Sequence, residues 1–176
     1  MKIPDLYGTP FVMSEGPVPC SLLMIGENPG KEEELWGKPF VGRAGAVLSR
    51  MLNKVSLNRS KIYITNSIKQ RRPDGSTPLF QEVLLHRPYL LQEIKAVKPK
   101  VIVLLGKTAL SALYAHQYNL AVFRKKKDLT WNGIRIIVTF HPASLLYGTD
   151  PKPMIEDFKL IRQTLLQGAE NGITKI

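Results

Sequence analysis

At 176 residues and 44% hydrophobic content, the chain is long enough for one compact domain with a substantial core and short for two. Lys+Arg 25 against Asp+Glu 14 leaves a formal net charge of +11, which favours a polyanionic partner, although a solvated lysine-rich face carries the same charge. A single cysteine, Cys20, excludes an intramolecular disulfide and a multi-cysteine metal centre, and fits a reducing compartment.

The opening MKIPDLYGTP carries Pro4 and Gly8 in place of an uninterrupted apolar segment, and no apolar run approaches the about 20 residues of a membrane span. A cytoplasmic protein without membrane contact is expected. Ser21–Gly26 (SLLMIG) reads as a first buried strand and runs into Glu27-Asn28-Pro29-Gly30. A helical stripe follows at Ala44, Val47, Leu48, Met51, Leu52 and Val55. Lys61–Asn66 (KIYITN) predicts the second strand, and Val83, Leu84, Leu90, Leu91 and Ile94 a helix around Pro88. Lys100–Gly106 (KVIVLLG) is a third strand, with helical positions at Leu110 and Leu113. Ile134–Phe140 (IRIIVTF) is a fourth, delivering His141-Pro142-Ala143-Ser144, and Met154, Phe158, Ile161 and Leu165 make a last helical stripe.

Near-continuous Ile, Val and Leu suit strands covered on both faces. Strand–helix alternation therefore predicts an α/β protein, a three-layer α/β/α sandwich around a four-stranded, mostly parallel sheet, as one domain over residues 1–176. Ligands of such sheets bind beyond the carboxyl ends of the strands, where the polar loops converge. Two other signals lead nowhere. Gly106-Lys107-Thr108 ends like a Walker phosphate loop but has Val101 where that motif needs a glycine, so it reads as a strand-to-helix turn. Glu32-Glu33-Glu34 lacks the coordinating offsets of a cation site and reads as a solvated first helical turn. Arg71–Gly75 and Arg124–Asp128 read as basic surface loops, and His86 and His116 as surface-facing histidines.

GENPG, then six residues and GKPFVGRAG, together with YITNSIKQRRP, KPKVIVLLGKTAL and FHPASLL, resembles the uracil-DNA glycosylase superfamily, and most of all its family-four type, from about Leu22 to Leu165. The resemblance implies an α/β/α sandwich and a monofunctional glycosylase that flips uracil out of DNA and hydrolyses its N-glycosidic bond. A catalytically silent DNA-binding module, or a glycosylase for another base such as hypoxanthine, is the alternative. The implied partner is uracil-containing DNA, bound by a monomer.

By the same resemblance Phe40 stacks on the base, and Asn66 reads its Watson–Crick edge with an amide that satisfies O4 and N3–H together. His141 donates to the charge developing on O2. Glu27 or Asn28 stabilises the sugar cation or orients water, with the apportionment open. Gly26 and Gly30 permit close approach of the backbone, with helix-entry N–H groups turned to phosphate. Arg43, Ser144 and Leu145 are expected to touch DNA, Leu145 as an apolar wedge. Outside the motif, Phe40 reads better as ordinary core and Asn66 better as a strand-end turn, while Leu145 reads equally well as core.

The pattern is broken in one respect. Family-four enzymes typically hold a 4Fe–4S cluster on four cysteines, whereas Gln70 and His86 occupy two of the expected positions here. The expectation is no metal and no cofactor, with packing or hydrogen bonds around Gln70 and His86 tethering the loop instead.

Overall fold

The computed structural model describes residues 2–126 and 128–170. Strands β1 (Leu22–Gly26), β2 (Tyr63–Asn66), β3 (Val101–Leu105), β4 (Thr130–Trp131) and β5 (Ile134–Thr139) form one sheet in the order β2-β1-β3-β5-β4. All pairs are parallel except β4 with β5.

Side chains alternate across a strand, and that alternation assigns the layers. Leu22, Met24, Val103, Leu105 and Ile137 face one side. There they meet Leu48, Met51 and Leu52 of helix α2 (Arg43–Lys54), and Met154, Phe158, Ile161 and Leu165 of the chain's last described helix, Lys152–Glu170. Leu23, Ile25, Ile102, Leu104, Ile136 and Val138 face the other side. They pack on α3 (Phe80–Val97) and α4 (Lys107–Tyr114) through Val83, Leu90, Ile94, Leu110 and Leu113. Two apolar clusters on opposite faces of one sheet make the α/β/α sandwich. The short helices α1 (Lys31–Trp36) and α5 (Leu120–Arg124) precede α2 and β4, so the last helix is α6.

Among the described residues the sheet has five strands, not four. β4 is two residues long and pairs across the turn at Asn132 and Gly133, whose φ values are 48° and 78°. Asn-Gly is the preferred pair for a two-residue hairpin because both positions need positive φ; that signal stood in the sequence without a strand long enough to accompany it. The second strand is shorter than its apolar run, because Arg59–Lys61 forms a 3₁₀ turn capped by the Asn58 side chain.

Neither basic loop is wholly surface. Arg124 turns inward to Asp157 at 2.7 Å and to the Pro153 carbonyl at 2.7 Å, while Arg71 and Arg72 pair with Glu34 and Glu82. Lys127 lies outside the described residues.

Candidate active site

β1 ends on Gly26, and the chain leaves the sheet through Glu27 and Asn28. Glu27 Oε2 accepts a hydrogen bond from the Thr108 hydroxyl at 2.6 Å. Thr108 sits in the first turn of α4, so the strand-to-helix turn after β3 fixes a carboxylate carried by β1. The Asn28 amide donates to the Pro29 carbonyl at 3.2 Å.

Glu33 is 8% exposed and does not belong to a solvated turn. Its carboxylate accepts from the backbone N–H of Gly30 (3.1 Å), Val41 (2.9 Å) and Gly42 (2.7 Å). Those N–H groups are therefore engaged with Glu33 and are not turned to phosphate. A charged acceptor of three amides is a strong local tie, and it holds the entries to α1 and α2 together around the intervening loop. That loop contains Phe40, whose φ of 53° is unusual for a bulky residue. A side chain at Gly45 would collide with the Phe40 carbonyl and come within 2.9 Å of its Cα, so Gly45 is what lets α2 pass beneath this strained residue. The strain, on the order of 1–3 kcal/mol, persists only where the surroundings over-determine it.

The Phe40 ring and the Asn66 amide both press against Gly26, where an added β-carbon would lie 2.6 Å from the ring tip and in collision with Asn66 Oδ1. Asn66 ends β2, paired with Gly26, and is 3% exposed. Its neighbours Ser67 and Ile68 donate their N–H groups to the carbonyls of Gly26 and Glu27 at 3.0 Å each. The Asn66 side-chain amide makes no hydrogen bond within the protein among the described residues, although it lines a cleft.

His141 follows β5 and caps the 3₁₀ turn Pro142–Tyr147. Its Nδ1 accepts from the Ala143 N–H at 3.2 Å, which in the neutral ring leaves the proton on Nε2. Desolvation pushes its pKa below the ordinary value, outweighing the opposing pull of the Glu27 and Glu33 carboxylates. Its ring centroid is 5.8 Å from that of Phe40. Gly106, at φ 95°, packs against it; a β-carbon there would come within 3.0 Å of His141 Cβ.

These pieces surround one cleft of ≈ 610 Å³, within the roughly 300–1,000 Å³ typical of small-molecule sites. Glu27, Asn28, Gly30, Phe40, Arg43, Asn66 and His141 all line it, and Gly26 forms the wall behind Phe40 and Asn66. Ser144 and Leu145 are not brought there. Leu145 packs against the core beside α2 and α6, and Ser144 Oγ is buried without a hydrogen-bond partner. The 3₁₀ turn instead carries Leu146 and Tyr147 to the rim, with Tyr147 86% exposed. Sequence reasoning also missed Glu33 and Thr108. The carboxylate run hid the first, and the second rests on a contact between residues far apart in the chain.

The four-cysteine cluster does not fit the residues present. Gln70 Nε2 donates to Asp5 (2.7 Å) and to the Thr9 carbonyl (2.7 Å), and its Oε1 accepts from the Leu6 N–H at 2.8 Å. His86 is 1% exposed, not surface-facing; its Nδ1 accepts from the Lys69 N–H and its Nε2 meets the Pro4 carbonyl at 3.1 Å. Cys20 lies elsewhere, its thiol donating to the carbonyls of Leu22 and Lys61. Two neutral side chains thus bind the amino-terminal segment where thiolates would be needed.

The profile described as "Uracil DNA glycosylase superfamily" matches residues 13–165. The chain is 36% identical over 164 residues to the type-4 uracil-DNA glycosylase of Saccharolobus solfataricus, covering 88% of this chain and 76% of that one. It is 37% identical over 142 residues to the type-4 enzyme of Thermotoga maritima, covering 80% and 74%. With the type-4 enzyme of Archaeoglobus fulgidus the identity is 33% over 174 residues, covering 89% and 84%. With cleft, sandwich and sequence in agreement, the chain belongs to the uracil-DNA glycosylase superfamily.

Proposed function

We propose that this uracil-DNA glycosylase extrudes uracil from the DNA stack, hydrolyses its N-glycosidic bond and stops at the abasic site. The observation that carries the reading is Asn66, a residue only 3% exposed whose amide has no hydrogen-bond partner among the described residues and opens on a cleft that also holds an aromatic ring, an imidazole and a carboxylate. With no protein partner, the amide keeps a donor and an acceptor free for a base edge that offers an acceptor and an N–H. Flipping costs a few kcal/mol, offset by stacking on Phe40 and by these hydrogen bonds.

When the C1′–N1 bond breaks, its electron pair passes to the base and the sugar becomes cationic. His141, neutral at pH 7 and protonated on Nε2, donates to uracil O2 as that charge develops. Glu27, held by Thr108, faces the cation electrostatically and orients the water that adds to C1′. Preorganised charges and donors of this kind are each worth about 10²–10³ in rate. The lysine lining the cleft, Lys31, is exposed, and the desolvated amine of Lys69 lies outside the cleft, so among the described residues no desolvated amine faces the substrate as a lyase nucleophile.

The test is chromatographic detection of free uracil after incubation with a uracil-containing oligonucleotide. Release is expected for the wild-type protein, with loss of about 10²–10³ in kcat for Glu27→Gln and for His141→Ala. No release by the wild-type protein overturns the reading, and strand breakage without added alkali overturns its monofunctional part.

A further inference from the structure

Lys69 is the most deeply buried charged residue described, with 2% of its side chain exposed. It lies outside the cleft, three residues beyond Asn66. Its ammonium pairs with Glu93 of α3 at 2.6 Å and donates to the main-chain carbonyl of Asn66 at 3.1 Å and to the Thr65 hydroxyl. Ser14 completes the cluster: its hydroxyl meets Thr65 Oγ1 at 2.8 Å, Lys69 Nζ at 3.4 Å and Glu93 Oε1. Tyr63 donates to the same carboxylate at 3.3 Å. The Lys69 backbone is tied as well, its N–H to His86 and its carbonyl to the Val12 N–H at 2.7 Å.

A buried ion pair is a poor source of stability, since well-packed apolar residues of similar volume often serve as well or better. What this pair does that apolar residues do not is reach the peptide of Asn66. β2 is a four-residue strand at the sheet edge, paired with β1 on one side and bridged on the other at Ile64, which exchanges two backbone hydrogen bonds with Glu15 two positions before Asn66. Without the ammonium, the carbonyl of its last residue loses a charged donor at the point where the amide must be aimed.

We infer that Lys69 and Glu93 are positioning residues that anchor the Asn66 peptide to α3 and so hold its amide in register with the flipped base. This rests on the glycosylase reading above. Burial pushes the Lys69 pKa down and Glu93 opposes that shift, consistent with the two acting as one unit.

The test compares Lys69→Met with the double variant Lys69→Met/Glu93→Leu. The single variant leaves a carboxylate unpaired and is expected to lose both stability and activity. The double variant is expected to regain Tm yet keep a kcat about 10² below wild type, the scale of an approximately 1 Å misplacement. Its KM for a uracil oligonucleotide should stay within about twofold, because neither residue lines the cleft. A purely structural pair predicts that kcat returns with Tm, and that result overturns the inference. Should the double variant not fold, Glu93→Gln keeps volume and an acceptor; a fall of about tenfold in kcat at constant KM is expected there, and an unchanged kcat overturns the inference. The anchoring is also read without turnover. The Asn66 side-chain amide should give one sharp pair of NMR signals in the wild-type protein and broadened or displaced signals in the variant. Identical signals refute the anchoring, whereas absence of uracil release by wild type refutes only the glycosylase reading.

Discussion

Gly26 stands directly behind Asn66, so that one β-carbon at the end of β1 would collide with the Asn66 amide and come within 2.6 Å of the Phe40 ring. The position thus sets the depth of the cleft for both groups that are proposed to hold the base. Gly26→Ala should fold, with an overpacking cost of about 1–3 kcal/mol, and lose on the order of 10² in kcat as both side chains shift outward. Circular dichroism melting beside steady-state kinetics separates the two effects.

Protonation of His141 gives the second prediction. Burial holds its pKa below the ordinary value of about 6.5, so kcat should be flat at neutral pH and fall only as the pH drops through that lowered value. Glu27→Gln removes a carboxylate that pulls the pKa upward. Its residual activity should show the acid limb moved to lower pH, a shift readable from a pH–rate profile.

Stability follows the same sign. His141 and His86 both have folded pKa values depressed by burial. Below about pH 6.5 the unfolded chain binds protons that these buried rings resist, so Tm should hold above that pH and decline as the pH falls from there towards the folded values. His86→Gln, whose amide still offers an acceptor and a donor, should flatten the decline measured by thermal melting.

Tyr147 is the exposed side chain at the cleft rim, whereas Leu145 is partly buried against the core. Stacking of a base on an aromatic side chain is worth about 1–3 kcal/mol, so Tyr147→Ala should weaken binding to abasic-site DNA by about 10–100-fold. Leu145→Ala should lower Tm, since Leu145 packs on the core, and leave affinity nearly unchanged. Fluorescence anisotropy on both variants decides between them.

Glu33 ties three backbone amides. Glu33→Ala leaves them without that acceptor at a cost of about 1–3 kcal/mol and frees the Phe40 loop to leave its positive-φ conformation. Both a lower Tm and increased amide hydrogen exchange at Val41 and Gly42 are expected.

Much of this was legible before any coordinates. Near-continuous apolar runs wrote the strands, period-3.6 stripes wrote α2, α3 and α6, and the parallel-sheet rule sent attention to the strand ends where Glu27, Asn66 and His141 stand. The rest depends on contacts between residues far apart in sequence. Nothing local to Thr108 announces a bond to Glu27, 81 positions away. Glu33 looked solvated because its neighbours are charged, and only the return of the chain at Val41 and Gly42 buries it. Leu145 and Tyr147 differ by two positions, enough on a 3₁₀ turn to exchange core for rim. The replacement of a thiolate cluster by hydrogen bonds was visible as a vacancy, but the partners of Gln70 and His86 in the amino-terminal segment were not.

The most direct measurement is a crystal structure of the protein with abasic-site DNA and free uracil. Uracil should be stacked on Phe40, its O4 and N3–H paired with the Asn66 amide, and its O2 within hydrogen-bond distance of His141 Nε2. Uracil bound outside this cleft, or seated in it with O2 turned away from His141, would contradict it.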